Sequence, residues 1–289
     1  MIGMSTLRVA TLNIWNKSGP WPERLLLIRR ELARLKPAIL GLQEVLRFAP
    51  EGLESFVPTR AACQATEIAH EFDYTVAYAM ASDYGHGLKF GNALLSQFPI
   101  LEQSAFVLPG LESGESRSLL YARLETPHGE LPVFVTHLNW KLHQGNVRLR
   151  QVRFIAERVA ELVPVRSRFL PPVLMGDFNA EPDADEIRYL RGLAVVDEES
   201  VFFADAWIYG GDGSGGATFD RKNDYASVAR EPSRRIDYIF VRGPDAQLRG
   251  EPIRTELAFA TPEVGASGSV WPSDHFGLVS DVFFAPRSP

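Results

Sequence analysis

Val173-Leu174-Met175-Gly176-Asp177-Phe178-Asn179 is the stretch on which the reading of the chain turns. The short apolar run, entered from Pro171-Pro172, predicts a buried strand. It breaks at Gly176, where a backbone without Cβ can turn sharply or approach a ligand closely. Asp177 and Asn179 stand two residues apart, so an extended backbone directs both side chains to one side. A carboxylate beside an amide offers an acceptor for a metal or water and a donor for an anionic oxygen. Met alone, Asp-x-Asn is an Asx turn. The rest of the chain separates turn from site.

Working outward, Leu131 to Leu138 is a strand carrying His137, with Asn139 beyond it. Residues 143–162 place Val147, Val152, Ile155, Val159 and Leu162 at helical spacing. Downstream come a short helix from about Asp183, an apolar segment from Val201 to Ile208 read as helical, and a Gly-rich, charged loop over 210–235. That loop is too long to be idle in a compact domain. Strands follow at 236–241, with Asp237, and at 253–259. Trp271-Pro272-Ser273-Asp274-His275 leads into a last strand, 276–283. At the other end, 7–13 alternates as a strand ending in Asn13. Residues 23–35 set Leu25, Ile28, Leu32 and Leu35 at helical spacing until Pro37, and 38–42 is a buried strand ending in Gln43-Glu44. A loop through Pro50 and Pro58, a helix over about 61–72 and strands at 74–80, 92–96, 100–108 and 118–125 complete the series. Pro127-His128-Gly129 predicts a hairpin between the last of these and 131–138. No linker or short repeat divides the chain, so one domain over 1–289 is expected. Strands in series with β-α-β units predict two packed mixed sheets covered by helices.

The 289 residues are 45% hydrophobic and 23% charged, as in a globular protein with a large core. No run reaches the ~18 apolar residues of a membrane span, and no secretory leader is read at the start. Cys63 is the single cysteine, which rules out an intrachain disulfide and a thiolate metal cluster within one chain. A cytoplasmic setting is expected. Asn16-Lys17-Ser18 matches a glycosylation acceptor and is read as chance. The net charge of −6 counts against nonspecific polyanion binding, except where bound divalent metal reverses the local field.

Polar residues therefore cluster at strand ends: Asn13, Glu44, His137 with Asn139, Asp177 with Asn179, Asp237, and Asp274 with His275. Each has a plain alternative, whether loop cap, solvated carboxylate or hydrogen-bonded core histidine. Asp237, between Ile236 and Tyr238, is harder to set aside, because a buried ionised Asp needs a partner. The chemistry that these types support together is metal-assisted phosphoester hydrolysis. Oxygen ligands such as Glu44 and Asp274 suit Mg²⁺ or Mn²⁺. Asp177 can hold and deprotonate water, and Asp237 can orient His275 and favour its cation for phosphate binding.

Seven motifs occur in order: Thr11-Leu12-Asn13-Ile14-Trp15-Asn16, Gln43-Glu44-Val45, Gly91-Asn92-Ala93-Leu94-Leu95-Ser96, Thr136-His137-Leu138, Gly176-Asp177-Phe178-Asn179, Arg235-Ile236-Asp237-Tyr238-Ile239 and Ser273-Asp274-His275-Phe276-Gly277. The set resembles the endonuclease/exonuclease/phosphatase superfamily, with its deoxyribonuclease I-like fold, over roughly residues 7 to 283. The resemblance implies a four-layer α/β sandwich with the site on one edge between two sheets. It implies Glu44 as principal metal ligand, Asn13 beside that metal, and Asp274 as a further acidic ligand or a group behind the ligands. It makes Asp177 the water-activating residue and Asn179 a phosphate-binding one. His275, paired with Asp237, becomes a phosphate-binding histidine, His137 a second phosphate-contacting or acid-acting one, and Arg117 a substrate-facing arginine.

The expected activity is that of a Mg²⁺- or Mn²⁺-dependent phosphodiesterase with in-line attack by an Asp-activated water. The same residues leave open a nuclease proper, a small-phosphoester phosphatase and a non-catalytic binding protein. Thr136 to Trp140 and the helix after it resemble the deadenylase-like and sphingomyelinase-like branches over a short span. Trp15, Trp21, Trp140 and Trp271 are candidates either for stacking on bases or for anchoring loops. Phe48 to Val57 carries Glu51 and Glu54, which argues against stable membrane insertion. The expected partner is a phosphoester (nucleic acid, phospholipid headgroup or small molecule), with no obligate protein partner. Serine-hydrolase and P-loop motifs are absent, and Gly211 to Gly216 reads as a flexible loop because no helix follows it.

Overall fold

The computed structural model describes residues 6–48, 62–265 and 268–284, and side-chain alternation along its strands sets the layers. One six-stranded sheet has the order β11 (Glu251–Ala258), β14 (Gly277–Phe283), β1 (Thr6–Asn13), β2 (Ile39–Phe48), β4 (Leu88–Ser96), β3 (Thr75–Asp83). The second runs β5 (Ile100–Val107), β6 (Ser118–Thr126), β7 (Gly129–His137), β8 (Val173–Asp177), β10 (Asp237–Val241), β9 (Ala204–Asp205). Both are mixed, because β1 and β2 are parallel, as are β7 and β8, while the other pairs are antiparallel. A separate ribbon joins β12 (Glu263–Gly265) to β13 (Gly268–Val270).

Leu7 and Val9 of β1, Val133 and Val135 of β7, Val173 and Met175 of β8, and Ile239 and Val241 of β10 meet in one core between the sheets. The alternate residues face outward. Leu12, Leu40 and Leu42 pack under α1 (Trp21–Leu35) and α2 (Gln64–Ala69). Phe134, Leu174, Tyr238 and Phe240 pack under α3 (Gly145–Leu162) and α4 (Asp185–Leu190). The result is the expected four-layer α/β sandwich. Gly41 lets the sheets close up, since a Cβ there would meet Met175 Sδ at 2.8 Å. Helix α1 shows how local chemistry sets its ends: Pro22 lies in the first turn, where its missing N–H is not needed. Lys36 closes the helix in the left-handed region at φ 48°, and Pro37 follows.

Several local expectations change. β8 runs through Gly176 without a break; the glycine, at φ 146°, is needed because a Cβ would lie 1.9 Å from Thr136 O. The close approach is to a neighbouring strand, not to a ligand. Asn179 is not extended after Asp177 but left-handed at φ 50°, with its backbone N–H donating to Asp177 Oδ1 at 2.9 Å. Phe178 between them is buried in the outer core. The stretch is an Asx turn and still brings both side chains to the same cleft. The segment 201–208 splits into β9 and α5 (Ala206–Gly210), because Asp205 caps the helix through Trp207 N and pairs with Arg235. Of the glycines at 211–216, Gly211 and Gly216 lie against Trp207, whose indole donates to Ser214 O at 2.9 Å, while Gly213 and Gly215 face open space. Within the 210–235 loop, α6 (Asp224–Ser227) is capped by Asn223. Pro50, Pro58 and most of the segment from Phe48 to Val57 lie outside the described residues.

Candidate active site

Strand register builds the site. His137 pairs with Asp177 across β7 and β8, and Asp177 with Asp237 across β8 and β10, so three adjacent strands each end in one polar residue. Their parity with Val135, Met175 and Ile239 puts all three in the layer between the sheets, at its open edge. Asn13 has the same parity as Leu7 and Val9 on the opposite sheet. Its amide donates across the gap to Asp177 Oδ2 at 3.0 Å and to Glu44 Oε1 at 3.3 Å. Glu44 arrives differently. A bulge between Leu42 and Val45 holds it at φ 61°, and this turns a residue that strict alternation would face outward into the cleft. Asn16 donates to its other oxygen at 2.9 Å.

A cleft of about 230 Å³ is lined by Asn13, Glu44, Arg117, His137, Asp177, Asn179 and His275, among others. Asp237 stands behind His275, its Oδ2 sharing a hydrogen bond with Nδ1 at 2.9 Å, while its Oδ1 has no hydrogen-bond partner among the described residues. Asp274 lies within electrostatic reach of Glu44 and accepts from Ser273 Oγ at 3.2 Å. Asn139, paired with His137 in the sequence reading, turns away. It bonds Ser113, Gln144 and Gln151 and fixes the loop between β7 and α3. Of the four tryptophans near the motif loops, Trp21 and Trp271 are buried anchors, Trp15 packs against Tyr225 at 5.0 Å, and Trp140, at the rim of the cleft, is 54% exposed.

The electrostatics separate the groups. Burial, reinforced by Asp237, raises the Asp177 carboxyl to about 7, with His275 and the Asn13 and Asn179 donors acting against this. For His275 burial acts downward, but Asp237, Asp274 and Asp177 outweigh it and hold the imidazole well above its ordinary value. His137 goes the other way: burial first, then Arg117 and His275, push it well below that value. The two histidines of the site thus shift in opposite directions, His275 toward the cation and His137 toward the neutral form.

Two groupings have metal-ligand chemistry. The side-chain donors of Asp177, Asp237 and His275 all lie within 4.8 Å of one another. A protonated imidazole hydrogen-bonded to Asp237 cannot ligate, which weakens that grouping. Glu44 and Asp274 offer carboxylate oxygens beside Asn13, whose own Oδ1 accepts from the Trp15 backbone N–H at 3.0 Å, and Asp274 is raised to about 6 by burial, with Glu44 adding to the shift. Two carboxylates crowded in this way fit a hard divalent cation.

Sequence reasoning missed four contributors, Arg24, Thr218, Phe219 and Arg234. Arg24, a helix residue with no motif, is fully buried between Trp15 and Trp21. It donates to Ile14 O, to Ser18 O at 2.6 Å and to Pro272 O at 3.1 Å, tying the loop after Asn13 to the loop that carries Asp274 and His275. Thr218 accepts from the backbone N–H groups of Ile236 and Asp237 at 3.1 Å each. Phe219 packs on His275 at 5.2 Å, and Arg234, paired with Glu231, lines the cleft. The 210–235 loop is therefore one wall of the site. The length of that loop was its signal in the sequence.

The model described as "Endonuclease/Exonuclease/phosphatase family" matches residues 10–275. Carbon catabolite repressor protein 4 homolog 3 of Arabidopsis thaliana is 28% identical over 172 residues, 59% of this chain and about a third (35%) of that relative's length. Among solved structures, an endonuclease/exonuclease/phosphatase family protein of Bacteroides thetaiotaomicron superposes with a TM-score of 0.72 at 19% identity, covering 98% of this chain and 97% of that one. A mannosyl-6-phosphatase of the same organism gives 0.71 at 20% identity, covering 96% and 100%. TDP2 of D. rerio, solved with a single-strand DNA product, gives 0.69 at 21% identity, covering 96% and 99%.

Proposed function

The chain belongs to the endonuclease/exonuclease/phosphatase family, and from that premise we propose that it is a divalent-metal-dependent phosphodiesterase. The carrying observation is the convergence on one cleft of Asp177, Asn13, Glu44, Asn179, His137 and His275 from both sheets. Fold likeness chooses no substrate: the sugar phosphatase and the DNA-bound TDP2 superpose about equally well. Charge supports the diester. Arg117 is paired with Glu115 at 2.8 Å and Arg234 with Glu231, so the cleft offers limited surplus positive charge for a dianionic monoester.

In this reading Glu44, Asp274 and Asn13 would hold Mg²⁺ or Mn²⁺. When bound, the cation draws charge from a nonbridging phosphate oxygen. Asp177 accepts a proton from water as the water oxygen bonds to phosphorus and the bond to the leaving oxygen breaks. A carboxyl raised toward neutrality is matched to that task. His275, kept cationic by Asp237, and the Asn179 amide bind the phosphoryl oxygens. Neutral His137 contributes a hydrogen bond and not a charge, so the phosphate-contacting role suits it better than that of an acid. No described helix is long and apolar enough to cross a membrane. The buried single Cys63 makes no demand for an oxidising compartment, and the cytoplasm is the proposed setting.

The test is hydrolysis of bis(p-nitrophenyl) phosphate and p-nitrophenyl phosphate with Mg²⁺, with Mn²⁺ and with chelator. Metal-dependent turnover favouring the diester, and lost in Asp177→Ala, is expected. Turnover that survives chelation or Asp177→Ala would sink the proposal, as would none on either ester.

A further inference from the structure

A second groove of about 360 Å³ opens beside the cleft and shares Glu44, Arg117 and Trp140 with it. Three aromatic rings line it. Tyr84 and Phe90 come from the hairpin of β3 and β4 with ring centroids 5.9 Å apart, and Trp140 comes from the loop between β7 and α3. Phe90 also lies 6.4 Å from the His137 ring, so aromatic surface runs from the catalytic cleft into the groove. Tyr84 is 59% exposed and Trp140 54%, large apolar surfaces left open to solvent next to a reactive centre. Neither is held in place for core packing. Their supports are built in: Trp140 N–H donates to Glu115 Oε2 at 3.3 Å, and Ser82 Oγ donates to Ser116 O at 3.3 Å. The segment 114–117 thus ties the two aromatic walls to Arg117, whose guanidinium lies at the junction of groove and cleft. Volume and lining both speak for a ligand larger than phosphate.

We propose that this groove holds a planar aromatic ring of the phosphoester substrate, stacked on Trp140 and Tyr84 while its phosphate occupies the cleft. The assignment rests on the phosphoester reading above and narrows it to esters of aryl or nucleobase-bearing groups. Stacking suits either source, because both present a π-face. The limited surplus of positive charge favours a substrate with one phosphate and an uncharged remainder over a long polyanion.

Phosphonates, which hydrolysis does not cleave, test this by calorimetry on the full protein with Mg²⁺. Phenylphosphonate and an adenosine 5′-phosphonate are expected to bind about tenfold or more tightly than methylphosphonate, as ring stacking allows. Cyclohexylphosphonate should gain much less. In Trp140→Ala and Tyr84→Ala, both at exposed positions, the ratio of ring to methyl affinity should fall toward one. A gain by phenyl alone assigns the groove to aryl esters, and by adenosine alone to nucleoside esters; either supports the ring. Equal binding of methyl and ring ligands, a cyclohexyl gain equal to the phenyl gain, or a ring advantage that survives both substitutions overturns the subsite while leaving the phosphoester reading intact. If every phosphonate fails to bind, the subsite is overturned; if neither bis(p-nitrophenyl) phosphate nor p-nitrophenyl phosphate is turned over, the phosphoester reading falls and the subsite with it.

Discussion

Asp177 accepts hydrogen bonds from opposite directions, Asn179 N–H on Oδ1 and Asn13 Nδ2 on Oδ2, and it is fully desolvated beside Asp237. Its charge is therefore costly to the fold and useful to the site. Asp177→Asn should lower kcat by about 10²–10⁴-fold, the range of a positioned general base, without lowering the melting temperature. Steady-state rates and a thermal melt decide this, and a variant of normal rate would remove Asp177 from the water. Asp237→Asn takes from His275 its leading anionic partner while burial still acts downward, so the imidazole should titrate at lower pH than in the parent. NMR titration of the ring nitrogens reads that directly. Arg24 is a different case, because its role is in stapling loops. Arg24→Met leaves the carbonyls of Ile14, Asn16, Ser18 and Pro272 without their donor and should cost about 3 kcal/mol in denaturant unfolding, with Arg24→Lys in between.

At the scale of elements, two glycines set how closely strands and sheets approach, and their substitutions should differ in kind. Gly176→Ala drives a Cβ onto a backbone oxygen of β7, which cannot move without breaking the strand pair that carries His137 and Asp177. Loss of more than about 4 kcal/mol, or no soluble protein, is expected. Gly41→Ala meets the end of the Met175 side chain, which can shift, so about 1–3 kcal/mol is expected and the site should stay assembled. Denaturant titration of the two variants compares them. The bulge of β2 is the element that sequence alternation could not supply. Leu40 and Leu42 face one core, and Val45 faces it again three residues on, so one extra residue is accommodated between them. Glu44 owes its direction to that extra residue.

For the whole molecule, Asp274 links protonation, metal and stability. Its folded value, about 6, lies above the ordinary 3.8, so the folded protein binds the extra proton between those values. The metal-free protein should therefore lose this contribution as pH rises through that window. A cation bound by Glu44 and Asp274 must displace the proton, so the rise in melting temperature on adding Mg²⁺ should grow from pH 5 to pH 7. Differential scanning calorimetry at both pH values measures it, and a rise that shrinks with pH would count against Asp274 as a ligand. Much of this assembly was legible beforehand. Period-two alternation and turn residues located Asn13, His137, Asp177 and Asp237 at the ends of buried strands, because a strand's parity is written in its hydrophobic pattern. Their order along the chain matched a known family. Tertiary structure alone decided what that pattern does not encode. Register made neighbours of Asp177 and Asp237, a bulge turned Glu44 into the cleft, and side-chain competition drew Asn139 out of the site. Arg24 and the wall formed by 210–235 came from contacts between segments far apart in sequence, where no local spacing records the partner. Sequence determined which groups stand at the open edge of the sandwich; packing across the two sheets decided which of them meet.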